Sequence, residues 1–400
     1  MERREHIMSS IKKIFVKYGY EIGYFFHALF CKVFSFFPID KKKIHVSCWT
    51  GRGGFSCNPK YIISELNKQF PGKYKIYWAV NNPENEVKSF PSYIHLVKYH
   101  SFHSLYHQMT SFLWIDNCRK DMPIKRKGQY YLQTWHGSGP MKKIEADVRD
   151  ALVMGYEYNA RKDSKMIDWI LSGCSIETKI YRNSFWYNGQ ILEYGSPRAD
   201  ALFHSRKDEL KKVFCIDNNL PLSINLILYA PTFRDKKKGS EFDYEMDVDS
   251  VLASCQKRFG GEWIMLLRLH KNNMISAYSI KSNKRCIDVT AYPDMQELLE
   301  FVDVAIDDYS SWFYDFMYTR RPCFIYAPDI NEYDDIRGFY IDFRSLPFSI
   351  SDSIDSLCKD IERFDEADRD KKYNQFFSYI GSFNDGHASE RVVKMISDIK

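Results

Sequence analysis

Short apolar runs, separated by polar stretches with helical spacing, set the pattern of this chain. In the first half they are Lys43–Trp49 (KIHVSCW), Lys75–Val80 (KIYWAV), Ile94–Val97, Ser111–Ile115 (SFLWI) and Tyr130–Thr134 (YYLQT). In the second half they are Leu226–Tyr229, Trp263–Leu269, Val302–Ile306 and Pro322–Tyr326. Runs this short, rich in β-branched and aromatic residues, predict buried strands rather than helices. Their alternation with helical segments predicts an α/β fold built on parallel sheets. The charged region Ser205–Leu220, which contains Asp217-Asn218-Asn219, predicts a seam, and Ser353–Lys400 predicts charged helices. The expectation is two doubly wound, Rossmann-like lobes, over residues 43–205 and 206–400. A ligand would lie in an inter-lobe cleft beyond the carboxyl ends of the strands.

Residues 1–42 carry a different pattern. Ile14, Phe15, Tyr18, Ile22, Phe25, Phe26, Leu29, Phe30, Val33 and Phe36 recur at helical spacing, interrupted by Lys12, Lys13, Lys17 and Lys32 and followed by Lys41-Lys42-Lys43. A basic, aromatic, amphipathic helix suits an anionic membrane surface. The alternative is a helix that packs on the core.

Composition narrows the picture. With 27% charged and 44% hydrophobic residues the chain is globular rather than disordered. A net charge of +5 suits anionic ligands but is too small to point to nucleic acid. The ten cysteines form no CxxC pair and no cluster at zinc spacing, which predicts reduced thiols in a cytoplasmic protein. No secretory signal is visible and no apolar stretch reaches the ~20 residues of a membrane span.

Four motifs carry chemistry. In Gln133-Thr134-Trp135-His136-Gly137-Ser138-Gly139-Pro140-Met141-Lys142-Lys143, a histidine on a Gly-rich loop follows a strand and can serve as a general base, with Lys142 and Lys143 facing phosphate. The plainer reading is a turn histidine bonded to backbone. In Ala230-Pro231-Thr232-Phe233-Arg234-Asp235, a strand delivers Thr232 and Arg234 to its end, where arginine suits bidentate phosphate contact or an ordinary surface ion pair. In Arg268-Leu269-His270-Lys271, alternation sends Arg268 and His270 to one face, which favours a pyrophosphate or a solvated strand end. In Asp307-Asp308-Tyr309-Ser310-Ser311, a strand feeds two serines into a helix start, an anion site or an ordinary N-cap. No Asp/His metal cluster is evident, although Asp307 and Asp308 could hold a cation, and neither an essential metal nor a cofactor is expected.

Taken in order, these motifs resemble the CDP-glycerol glycerophosphotransferase family, the teichoic-acid and capsule polymerases and primases. The resemblance also takes in Asn58-Pro59-Lys60, Gly195-Ser196-Pro197-Arg198-Ala199-Asp200 and Arg337-Gly338-Phe339-Tyr340. It implies two lobes of the GT-B type and transfer of glycerol phosphate, or a related polyol phosphate, from a CDP-alditol to a lipid-linked or glycan acceptor, with release of CMP. By the same resemblance His136 is the base and His270 meets the donor diphosphate. Arg234, Thr232, Arg268, Asp308, Ser310 and Ser311 hold donor phosphate, while Gly137, Lys142, Lys143 and Asn58 belong to the acceptor loop. It implies a peripheral enzyme at the inner face of the cell membrane. The loop after His136 is one residue longer than the usual form, like the branch found in capsule and lipopolysaccharide loci. The rival readings are a nucleotide-sugar glycosyltransferase on the same fold and a catalytically silent membrane scaffold.

Overall fold

The computed structural model describes residues 18–19, 21–137, 139, 142–204, 206–232, 246–269, 283–330 and 338–399. It divides into two compact units. Unit 1 comprises Met1–His136, Lys143–Arg198 and Phe383–Lys400, and unit 2 comprises Gly137–Lys142 and Ala199–Ser382.

Unit 1 holds a seven-stranded parallel sheet in the order β3-β2-β1-β4-β5-β6-β7. Its strands are β1 (Asp40–Ser47), β2 (Lys75–Val80), β3 (Ile94–Lys98), β4 (Ser111–Asp116), β5 (Tyr130–Gln133), β6 (Trp169–Leu171) and β7 (Gln190–Leu192). β4 is buried along its whole length, as a central parallel strand must be. The chain lays β1, β2 and β3 outward in one direction, then crosses back to place β4 beside β1, so the switch point lies between β1 and β4. Helix α1 runs over residues 21–34, α2 over Cys57–Gln69 and α3 over Phe102–Thr110. The Ser101 hydroxyl caps α3 by accepting from Ser104 N–H.

Unit 2 repeats the plan with six strands in the order β10-β9-β8-β11-β12-β13. They are β8 (Asn225–Tyr229), β9 (Trp263–Leu267), β10 (Cys286–Asp288), β11 (Val304–Asp307), β12 (Cys323–Tyr326) and β13 (Ile350–Ser351). The switch point here lies between β8 and β11. Two Rossmann-like lobes are therefore present, and these thirteen strands pair in parallel, β1 with β4 and β8 with β11 among them.

Two boundaries differ from those expected. The lobes part after Arg198 rather than in the charged stretch, and helix α4 (Lys207–Asp217) belongs wholly to unit 2. The final helix α5 (Ala388–Asp398) returns to unit 1, where Val392, Val393 and Ile396 join Ile44, Ile62, Leu66 and Leu132 in one core. Its apolar stripe shows that it packs on something but does not say on which unit.

The expected strip of lysines also divides. Lys41 and Lys42 are exposed, but Lys43 is buried inside β1, its Nζ 2.9 Å from Thr110 Oγ1. It is part of the lobe and cannot meet a surface. Lys12, Lys13 and Lys17 lie outside the described residues.

Candidate active site

In unit 1 the site grows from the ends of β1, β4 and β5, at the switch point where open α/β sheets bind ligands. Thr134, just past β5, is tied to β4 through its N–H to the Asp116 carbonyl at 2.8 Å. Trp135 then takes a left-handed φ of 48°, with its N–H held by Gln133 Oε1 at 2.9 Å. Asn58 at the start of α2 donates to the carbonyls of Thr134 and Trp135 at 3.2 and 3.1 Å. Its own Oδ1 accepts from Arg198 N–H, and the Arg198 guanidinium donates to the His136 carbonyl at 2.7 Å. Asn58, buried and spent on these bonds, braces the loop rather than offering a side chain to an acceptor.

His136 sits half-buried on this frame. Its Nδ1 lies 2.6 Å from the Asn117 carbonyl oxygen. A carbonyl only accepts, so Nδ1 carries the proton and Nε2 keeps its lone pair. Burial pushes the imidazole down to about 4; the Asn117 bond opposes that shift and the Arg198 charge adds to it. The ring is therefore neutral near pH 7, the state a general base needs. Trp135 stacks on it at 4.2 Å between centroids, backed by Phe185 edge-on at 4.7 Å. Trp49, from the turn after β1, lies 4.1 Å away.

Gly137 and Lys142 leave this frame and count with unit 2, whereas Lys143 is exposed on unit 1. Within unit 2, Lys142 bridges Phe339 in an antiparallel contact. Gly139 rides on Tyr314 so closely that a Cβ would stand 2.7 Å from the ring, which explains a glycine here. Ser138, Pro140 and Met141 lie outside the described residues.

Unit 2 gathers its candidate groups at the ends of β8, β9 and β11. Thr232 donates its N–H to both Asp308 oxygens at 2.9 Å, which stitches the loops across the switch point. Asp308 is committed to that structural bond. Beside it Asp307 is fully buried, its carboxylate facing the backbone N–H groups of Asp308 and Ser310 without a well-formed hydrogen bond. Burial, then the Asp308 charge, pushes its carboxyl well above the usual range, while the Asp308 N–H, Lys142 and the Ser310 N–H act the other way. Arg268, just past β9, has a buried Nη1 without a partner, and burial lowers its pKa against the pull of Asp294 and Tyr292. Ser310 and Ser311 are half-buried, and Ser311 stands at the N-cap of the short helix Trp312–Phe316 without making a side-chain cap bond. An unpaired guanidinium nitrogen and two serines at strand ends suit an anion. Arg234 and His270 lie outside the described residues.

A family model described as CDP-Glycerol:Poly(glycerophosphate) glycerophosphotransferase matches residues 29–398. The chain belongs to this family. It is 29% identical to a teichoic acid poly(glycerol phosphate) polymerase of Bacillus subtilis (strain 168), over 98% of this chain and 54% of that protein. It is also 29% identical to a teichoic acid glycerol-phosphate transferase of Staphylococcus aureus (strain NCTC 8325 / PS 47), over 91% of this chain and 95% of that one. Among solved structures it resembles the wall teichoic acid polymerase TagF, in a histidine-to-asparagine variant soaked with CDPG, with 30% identity, 90% coverage of each chain and a TM-score of 0.79. The chain thus spans about half the length of some curated relatives and nearly all of others.

Within this glycerophosphotransferase fold, three residues that hold His136 escaped the sequence reading as site members. Arg198 was visible as part of the GSPRAD motif. Trp49 and Asn117 carry no motif signal: one sits on a strand end in an aromatic-rich chain, and the other reads as a turn residue.

Proposed function

We propose that this chain transfers glycerol phosphate, or a related polyol phosphate, from a CDP-activated donor to a hydroxyl of a cell-surface polymer precursor. The observation that carries the reading is His136, neutral, with Nδ1 fixed on Asn117 and Nε2 available. The acceptor oxygen attacks the donor's β-phosphorus in line while its proton passes to Nε2. The bond from phosphorus to the CMP oxygen breaks, and CMP leaves with the electron pair. Arg268, Ser310 and Ser311 stabilise the phosphate charge, together with Arg234 and His270 as assigned by the family resemblance. The lobes are of the GT-B type in this reading, and no metal is required, so turnover should persist in a chelator.

The test is direct. Full-length protein is offered radiolabelled CDP-glycerol, CDP-ribitol and nucleotide sugars beside lipid-linked acceptors. Label transfer with CMP release from a CDP-alditol supports the reading. Transfer from a nucleotide sugar alone would make the chain a glycosyltransferase, and no transfer with retained vesicle binding would make it a scaffold.

The reading extends to an anionic membrane at the inner face of the cell. No helix among the described residues is long and apolar enough to cross a bilayer. Instead α1 turns Tyr24 and Cys31 into the lobe and leaves Ile22, Phe25, Phe26, Leu29 and Val33 more than half exposed, with Phe36 beyond it at 83%. Large apolar patches of this kind mark interaction surfaces. Lys32, Lys41 and Lys42 are exposed on the same segment, each worth about 1 kcal/mol of attraction to an anionic surface. The full chain should therefore sediment with phosphatidylglycerol vesicles at low salt, less so at high salt, and far less after Phe25→Ser, Leu29→Ser and Phe36→Ser together. Undiminished sedimentation of that variant removes α1 from the reading.

A further inference from the structure

We infer that Trp49 and Asn117 form a positioning pair that locks the His136 imidazole with its Nε2 edge toward the acceptor, an inference that rests on His136 being the base.

Asn117 is fully buried and serves both partners at once. Its carbonyl accepts from His136 Nδ1 at 2.6 Å, its Oδ1 accepts from Trp49 N–H at 2.7 Å, and its Nδ2 donates to Cys48 Sγ at 3.3 Å. The ring's tautomer and the place of the indole are thus set by one residue at the end of β4. The backbone at Trp49 is costly. Trp49 and Thr50 take left-handed φ values of 49° and 53°, a region that side chains with a Cβ avoid. The turn is held by Gly51 and Gly53, whose N–H groups both reach the Cys48 carbonyl, at 3.0 and 3.1 Å. A side chain at position 53 would collide with it: a Cβ there would stand 2.6 Å from Cys48 Sγ and 2.7 Å from Trp49 Cδ1.

This strain is not spent on core packing, because Trp49 remains 38% exposed. Its described ring contact is with His136, at 4.1 Å and an interplanar angle of 42°. Trp135 lies at 4.2 Å and 27°. The two indoles make no ring contact with each other among the described residues, so they meet the imidazole from different directions. Clamped by both rings and by Asn117, the imidazole cannot swing its Nε2 away. The titratable and charged groups at the ring are the Cys118 thiol, 3.7 Å from Nδ1, and Arg198 on its carbonyl. Exclusion of water by the indoles also fits the depressed imidazole basicity noted above.

The experiment compares full-length wild type with Trp49→Leu, Trp49→Phe and Gly53→Ala, each checked by thermal melting. Imidazole NMR follows the ring-current shift and titration of His136, and kcat and KM are measured with CDP-glycerol across pH. In Trp49→Leu the His136 signals should lose the Trp49 share of their ring-current shift, keeping that of Trp135, and titrate nearer the ordinary value of about 6.5. Its kcat should fall roughly 10–100-fold, as expected for a misplaced reacting group, with little change in KM for the donor. The acidic limb of kcat should move up with the titration. Trp49→Phe should restore most of both readouts. Gly53→Ala, which displaces the indole without removing it, should behave like Trp49→Leu. Wild-type shift, titration and pH limb in Trp49→Leu and Gly53→Ala would overturn the inference. The NMR readout needs no assumption about His136 chemistry, so it is separate from the base assignment, which fails if His136→Ala turns over normally.

Discussion

At the unit 1 switch point the loops after β1 and β4 close around an uncharged ring; at the unit 2 switch point the ends of β9 and β11 carry ionisable groups with buried, unpaired atoms. The stitching is alike. Ser47 donates to the Asp116 carboxylate and Trp49 to Asn117 in the first, and Thr232 to Asp308 in the second. The contents differ. His136 is flanked by indoles and has its one donor satisfied, whereas Arg268 Nη1 and the Asp307 carboxylate are buried without a well-formed partner. A satisfied, dry, neutral group is prepared to accept a proton. A buried cationic nitrogen without a partner lowers the stability of its lobe and gains when an anion completes it. One fold, used twice, can thus supply two kinds of chemistry through what its switch-point loops enclose.

The contrast breaks most sharply at His136. His136→Ala should lower turnover roughly 10²–10⁴-fold, yet CDP should still bind in calorimetry, because the donor contacts proposed for this chain belong to unit 2. Loss of CDP binding in this variant, with CDP binding intact in Arg268→Met, would reverse the roles of the two lobes. Next comes Arg268→Met, which should weaken CDP binding roughly 10–100-fold, the worth of a hydrogen bond to a charged group. The same variant should melt higher than wild type without ligand, because an apolar chain replaces a buried cation with an orphaned nitrogen. A lower melting point with unchanged CDP affinity would make Arg268 purely structural. The smallest effect sharpens the comparison through pH. The Asp307 carboxyl is raised in the folded state above its ordinary 3.8, so folding favours its protonated form. Stability is then fullest below pH 3.8 and is lost as pH rises toward the folded value. Asp307→Asn should therefore melt higher than wild type at pH 7, with the gap closing toward pH 4 and CDP affinity nearly unchanged. A gap independent of pH would show that Asp307 is not protonated on folding.

The long strands were legible because a fully buried parallel strand must be apolar throughout: Lys75–Val80 was read to the residue, and Ser111–Asp116 and Asn225–Tyr229 within one. Trp169–Leu171, Gln190–Leu192, Cys286–Asp288 and Ile350–Ser351 were not, since two or three residues hold no period. The histidine loop was legible through its glycines, because backbone demands leave a mark on residue type. What holds the histidine was not. Asn117 holds the imidazole through its backbone carbonyl, which every residue has, and a tryptophan among so many aromatics gives no sign that it stacks on a functional ring. Lys43 misled for a related reason: its charge was visible, but the burial that removes it from any surface comes from Tyr77 and from Tyr106 and Thr110 of α3, which pack around its ammonium.

The return of Phe383–Lys400 to unit 1 has a consequence for the order of synthesis. Val392, Val393 and Ile396 are translated after all of unit 2, yet they complete the core beneath β1 and β4. While the second lobe is being made, the first must wait with an apolar face uncovered, open to chaperones or to premature aggregation. A chain stopped just short of Phe383 would keep unit 2 intact but leave the lobe that carries His136 without part of its core.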